Sequence, residues 1–244
     1  MASKNAPSSC LSEHSALVLL ALLLCGDFVY IAIHIANALL HHIPLYSIEF
    51  DHSYSEFYGY MKLLWVCLLL IYIQTKQTTW HYTVWILMFT YLLIDDSIQI
   101  HEVMGYRIAK ALEFMPSIGL RAYDFGELIV SLTAGAILSV PLVAAYTKGS
   151  AAFRKVSHDL ALFVCLLGGF GVAVDMLHSV FGFNRITKFL FGIIEDGGEM
   201  LTVSFLLWYV FLMAIHQGDS GCYLCGWIKN CVSRLYPASK ENAI

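Results

Sequence analysis

Four groups of residues in this chain have the types and spacing to do chemistry, and each is embedded in or borders an apolar run. Asp95, Asp96, His101 and Glu102 come late in one run, and Asp124 and Glu127 open the next. Asp175 and His178 come near the end of another, and Glu195, Asp196 and Glu199 fall in the first third of the last. Carboxylates and imidazoles in such company hold divalent metal ions, relay protons or pair with one another. Lipid cannot solvate an ion, so every such group at membrane depth is expensive and is read as functional by default. The nine carboxylates named are half of the chain's eighteen acidic residues, and the nearby bases Arg107, Arg121 and Arg185 are too few to balance them all. A buried carboxylate without a partner either costs several kcal/mol or takes up a proton. Several of these groups are therefore protonated, or divalent cations lie among them. A mixed oxygen and imidazole donor set suits Fe, Mn or Zn, whereas an all-carboxylate pocket suits Ca or Mg.

The elements that must position these residues are transmembrane helices. The chain has 244 residues, 59% hydrophobic and 13% charged, where a soluble domain carries about 25% charged residues. A net charge of −4 and the lack of a basic tract argue against nucleic acid. The lipid bilayer is the partner that the composition names. A spanning helix needs about 20 mostly apolar residues, and six segments qualify: 15–41, 56–74, 80–112, 124–146, 158–182 and 186–215. The expected fold is an all-α, polytopic membrane protein of about six helices in one bundle, spanning 15–216. A cytoplasmic segment, 1–14, precedes it and a Cys-containing cytoplasmic tail, 217–244, follows it. The first apolar run continues to Leu40, too long for a cleaved signal. Pro44, Pro116 and Pro237 belong to linkers, and Pro141 is expected to bend the fourth segment.

Alternating spans bring the polar groups to one level. Polar residues come late in the first, third and fifth segments, which run one way. They come early in the second, fourth and sixth, which run the other. In the first segment these are His34, Asn37 and His41; in the second, Glu56 and Tyr60. Eight Lys and Arg fall on the side of the N-terminus and five on the opposite side. By the positive-inside rule both termini are cytoplasmic and the polar level is non-cytoplasmic, as in a bacterial inner membrane or its equivalent. At about 100° per residue, Asp95, Gln99 and Glu102 share one stripe of a continuous third helix, with Asp96 and His101 on its flanks. Asp124, Glu127 and Ser131 share another, as do Asp175 with His178, and Glu195 with Glu199 and Thr202.

This pattern resembles the di-iron carboxylate proteins, in which four helices supply carboxylates and two of them carry Glu-x-x-His. Asp175-Met176-Leu177-His178 has that spacing with Asp in place of Glu, while the third segment offers only adjacent His101-Glu102 and the sixth has no histidine. The expected metal ligands are Asp95, Glu102, Glu127, Asp175, His178, Glu195 and Glu199. Asp96, His101, Asp124, Asp196, Gln99, Tyr30 and His34 are outer partners or alternate ligands. The expected function is a metal-dependent membrane oxidoreductase or hydrolase acting on a lipid-soluble substrate, with Fe, Mn, Zn or Ca as the ion. A proton- or cation-coupled transporter, and an assembly subunit with a structural metal, are its rivals.

Blander roles stand beside these. Asp124 can be an ordinary helix cap, and His34 reads first as a satisfied core histidine. His41, His42, His52 and His81 read as interfacial, and Asp27 as paired to a neighbouring helix. Gly168, Gly169, Gly171, Gly197 and Gly198 read as sites of close helix approach. Trp65, Trp80 and Trp208 read as lipid-facing or interfacial. Cys222, Cys225 and Cys231 lack the fourth ligand of a zinc knot and read as part of a juxtamembrane segment.

Overall fold

In the computed structural model, residues 6–40, 43–77, 79–182 and 184–216 are described, with side chains from 14 onward. His41, His42 and the tail cysteines Cys222, Cys225 and Cys231 lie outside the described residues. The described chain is helical, apart from loops and one isolated bridge between Ser117 and Leu120. Its helices are α1 (Ala6–Leu40), α2 (Tyr54–Gln77), α3 (Thr83–Ile98), α4 (Ile100–Ala111), α5 (Ala122–Lys148), α6 (Ala151–Gly168), α7 (Asp175–Phe181) and α8 (Arg185–Ile215). A π-helical turn, Gly169–Val174, joins α6 to α7, so that Ala151–Phe181 forms one span. Five helices are long and apolar enough to cross a membrane, and the pair α3 and α4 makes a sixth if counted as one span.

That pair departs from the expected continuous helix over 80–112. It bends by 70° at Gln99, which takes a left-handed conformation with φ 55° and ψ 47°. The bend has a local cause in Asp95. Its side chain accepts from the His101 backbone N–H at 2.9 Å and from His101 Nδ1 at 3.0 Å, so it caps the new helix that starts at Ile100. Such capping satisfies donors that a helix start leaves open. The single stripe of Asp95, Gln99 and Glu102 therefore does not form. Pro141, by contrast, lies inside α5 without interrupting its assignment as one helix.

Helix α8 is the centre of the bundle. It packs against α1, α2, α6, the π-helical turn and α7. From Thr202 to Ala214 nearly every residue is buried, as a helix surrounded by neighbours requires. Trp208 is part of this core at 3% exposure, not of an interfacial belt; Trp65 and Trp80 are exposed. Two glycines let the π-helical turn approach α8. A Cβ on Gly198 would meet the Phe170 ring at 2.4 Å, and one on Gly171 would meet Glu199 Oε1 at 2.1 Å. Gly168 and Gly169 have no such neighbour, and Gly197 has only an ordinary contact with Ile31. Helices α4 and α5 approach closely as well, where a Cβ on Gly126 would lie 2.0 Å from the Gly105 carbonyl oxygen.

Asp27 pairs with Lys62 of α2. The two are 2.8 Å apart, each at 0% side-chain exposure. Lys62 Nζ also donates to the Met200 carbonyl at 2.9 Å and to Ser204 Oγ at 3.1 Å, and Ser204 donates to Asp27. The Tyr58 ring lies 4.4 Å from the ammonium. One buried charge pair, with its remaining hydrogen-bonding capacity met, thus locks α1, α2 and α8 together.

Candidate metal centre

The end of the bundle that holds the loops 43–53 and 112–121 gathers the polar groups. Contacts between helices show the common level directly. Arg121 Nη2 is 3.9 Å from Asp175 Oδ1, and His178 Nδ1 is 2.9 Å from Glu195 Oε2. Tyr60 donates to the Asp96 carbonyl at 3.1 Å, and His52 Nε2 lies 3.2 Å from the Ser97 carbonyl oxygen.

Asp175, His178 and Glu195 form the centre. One ligand atom from each lies within 4.8 Å of the other two, and all three side chains are partly buried. Asp175 is the first residue after the π-helical turn, and π-helical turns recur at functional sites. His178 follows one turn later, so both project from α7 towards α8. Glu195 answers from α8, whose start is fixed by an Asn184–Thr187 capping box. Bonds of about 2.0–2.2 Å to a zinc-like ion hold its ligand atoms within roughly 4 Å of one another. A small side-chain adjustment would let the three hold one ion, and the oxygen, nitrogen, oxygen donor set is of the kind that suits Fe, Mn or Zn. The His178 ring also stacks on Phe191, with centroids 6.1 Å apart, which fixes its plane.

The other expected ligands lie elsewhere on this level. Asp95 spends both oxygens on His101. Glu102 is half-exposed and sits near Gln99 Nε2 at 3.4 Å and His101 Nε2 at 3.9 Å. Glu127 packs on Gly105 and feels the charges of Asp175, His101, Asp124 and Glu102. Glu199 lies against Gly171, one turn beyond Glu195, among the charges of Asp96, Glu195, His101 and Glu56. Asp196, between them, feels Glu195, Glu199 and Glu49. Asp96 is exposed on α3.

Asp124 is a cap. Its two oxygens accept from the Arg121 backbone N–H and from Arg121 Nε, both at 2.8 Å. Tyr30 packs its ring on Tyr58, centroids 5.4 Å apart. His34 is in the core at 3% exposure. Its Nδ1 accepts from the Ile48 backbone N–H at 3.3 Å, but its Nε2 has no hydrogen-bond partner.

Two charged residues escape a reading of the sequence. Lys62 is a lone base inside the second apolar segment, and the cost argument that singles out Asp27 applies to it equally. Glu49 has no such signal, because it stands in the linker between the first two spans. It folds inward all the same. Its Oε1 is 3.7 Å from His34 Nε2, and its carboxyl fills the space where a Cβ on Gly192 would be. Partial burial, with the side chain still 37% exposed, pushes the Glu49 carboxyl above its ordinary range, and the charge of His178 pulls it partly back.

A family model described as Domain of unknown function (DUF8692) matches residues 15–215. No curated protein and no solved structure matches the chain.

Proposed function

The chain belongs to the DUF8692 family, whose description assigns no chemistry, and we propose from its own residues that it is a metal-dependent integral membrane enzyme. It is an oxidoreductase or a hydrolase, and its substrate is lipid-soluble. The observation that carries this reading is the triangle of Asp175, His178 and Glu195 within 4.8 Å. Three protein ligands leave coordination positions open, as catalytic sites do and closed structural sites do not. A divalent ion held there polarises a carbonyl or phosphoryl oxygen, or makes a water acidic.

The remaining work falls to the chain's own groups. Arg121 sets the position of Asp175 from outside, and the glycine contacts of Gly171 and Gly198 hold the π-helical turn that carries it. The apolar helices around the site favour a substrate that arrives through lipid. The distribution of Lys and Arg supports a site facing away from the cytoplasm, in a bacterial inner membrane or its equivalent.

A transporter needs polar groups through the whole bilayer. Asp27 lies seven residues beyond His34, about 10 Å along the helix, and it is sealed against Lys62 at 0% exposure. That closed pair favours a one-sided site over a conduit. The test uses purified, metal-loaded protein in lipid nanodiscs, incubated with extracted membrane lipids and quinols and read by mass spectrometry. Product formation that is lost in His178→Ala supports the enzyme. Ion or proton uptake by proteoliposomes without product supports a transporter, and bound metal without turnover or transport supports a structural role.

A further inference from the structure

A buried imidazole with an idle nitrogen needs an explanation. His34 is one: 3% exposed, stacked on Phe189 with centroids 5.1 Å apart, and without a hydrogen-bond partner at Nε2. The Ile48 N–H donates to Nδ1, so the proton of the neutral ring sits on Nε2 and Nε2 is a donor. That donor faces Glu49 Oε1 at 3.7 Å, just beyond hydrogen-bond range.

Glu49 is held towards α8 from two directions. The Asn37 side chain closes the end of α1 onto Ile43, with two hydrogen bonds of 2.8 Å, which sets where the loop begins. Gly192 leaves the space that the Glu49 carboxyl occupies, one helical turn before Glu195. Glu49 also feels the charge of His178, and Glu195 feels that of Glu49. A carboxylate therefore stands against α8 one helical turn from Glu195, with a buried donor 3.7 Å from its Oε1. Ligating carboxylates are commonly oriented by just such an outer hydrogen bond.

We propose that Glu49 is a fourth protein ligand of the Asp175–His178–Glu195 centre, and that His34 is the positioning residue that donates from Nε2 to its carboxyl. The proposal rests on the metal reading above. Turning the Glu49 side chain towards α7 would bring one oxygen to the ion, while the other accepts the hydrogen bond from His34 Nε2–H. The loop carboxylate thereby ties the α1–α2 connection to the α7–α8 site, and a six-coordinate ion such as iron or manganese would keep positions open beside four protein ligands.

The experiment is titration of the purified full chain in detergent with Co2+, read by the visible absorption of the bound ion and by its dissociation constant. Glu49→Gln weakens Co2+ binding by more than the roughly 10–100-fold typical of outer partners and changes the ligand-field spectrum. His34→Phe keeps the stacked ring but removes the donor, so it shifts the spectrum in the same direction. His34→Gln restores a donor near the position of Nε2 and recovers the wild-type spectrum. Co2+ binding that is unchanged in Glu49→Gln overturns the proposal and leaves the three-ligand centre standing. A His34→Gln spectrum that matches His34→Phe also overturns the positioning role. Failure of the wild-type chain to bind Co2+ at all overturns both this proposal and the metal centre beneath it.

Discussion

His178 Nδ1 lies 2.9 Å from Glu195 Oε2, and this contact joins the short helix after the π-helical turn to the central helix of the bundle. Asp175 completes the group from the same short helix. Asp124, close by on α5, is tied instead to Arg121 through both oxygens. The two aspartates therefore respond differently to removal of the carboxyl. Asp175→Ala is expected to lower metal affinity by more than the roughly 10–100-fold typical of outer partners, with little change in unfolding temperature of the metal-free protein. Asp124→Ala loses a helix cap worth about 0.5–2 kcal/mol and keeps the metal. Metal titration alongside thermal unfolding of both variants checks this.

The Asp27–Lys62 pair is fully buried. Lys62→Met leaves a carboxylate without its cation and is expected to destabilise the fold by about 3–5 kcal/mol. The double variant Lys62→Met with Asp27→Leu removes both charges and is expected to recover most of that loss. Denaturant unfolding in a fixed detergent measures the difference. A single variant as stable as the wild type would show that the pair does not lock these helices.

Close packing at the glycines gives a graded expectation. A Cβ on Gly126 meets a backbone oxygen at 2.0 Å, which no side-chain rotation can relieve. Gly126→Ala is therefore expected to cost about 1–3 kcal/mol. Gly135 has open space around it, and Gly135→Ala is expected to be neutral or slightly stabilising. Gly198→Ala presses on the Phe170 ring at 2.4 Å and displaces the turn that carries Asp175. It is expected to weaken metal binding as well as stability, which Gly126→Ala is not.

Glu49 makes metal-free stability depend on pH. Burial raises its folded value above the ordinary 4.5, so the fold holds this proton more tightly than the unfolded chain does. The associated stability is fully present below about pH 4.5 and is lost as pH rises through the raised folded value. Metal-free Glu49→Gln is thus expected to outlast the wild type at neutral pH and to match it near pH 4. Melting curves taken across that range in chelator test it. A wild type that equals or exceeds Glu49→Gln at neutral pH contradicts a cost from partly desolvating this carboxyl.

The bundle could be read from the sequence because six apolar runs of spanning length leave few alternatives. Two of the three residues of the centre were visible as a spaced pair, Asp175 and His178, and Glu195 was visible as an acid at the same depth. Depth is set by span direction and can be counted along the chain. Lateral neighbours are not: nothing local says that α7 faces α8 at Glu195 while Glu102 sits beside Gln99 and His101. The bend at Gln99 was hidden because α3 and α4 together form one apolar run, and its cause, the Asp95 cap on His101, is a contact within six residues that hydropathy cannot register. Glu49 was hidden for a different reason. A linker acid carries no cost signal, and only the folded loop brings it to Gly192 and His34.

The most direct measurement is the metal content per chain of the protein purified from its membrane without chelators. It is set beside His178→Ala and beside Glu113→Ala, a change in an exposed loop residue. The account predicts stoichiometric iron, manganese or zinc in the wild type and in Glu113→Ala, and its loss in a folded His178→Ala. Folded wild-type protein that carries no divalent metal and takes none up on titration would contradict it.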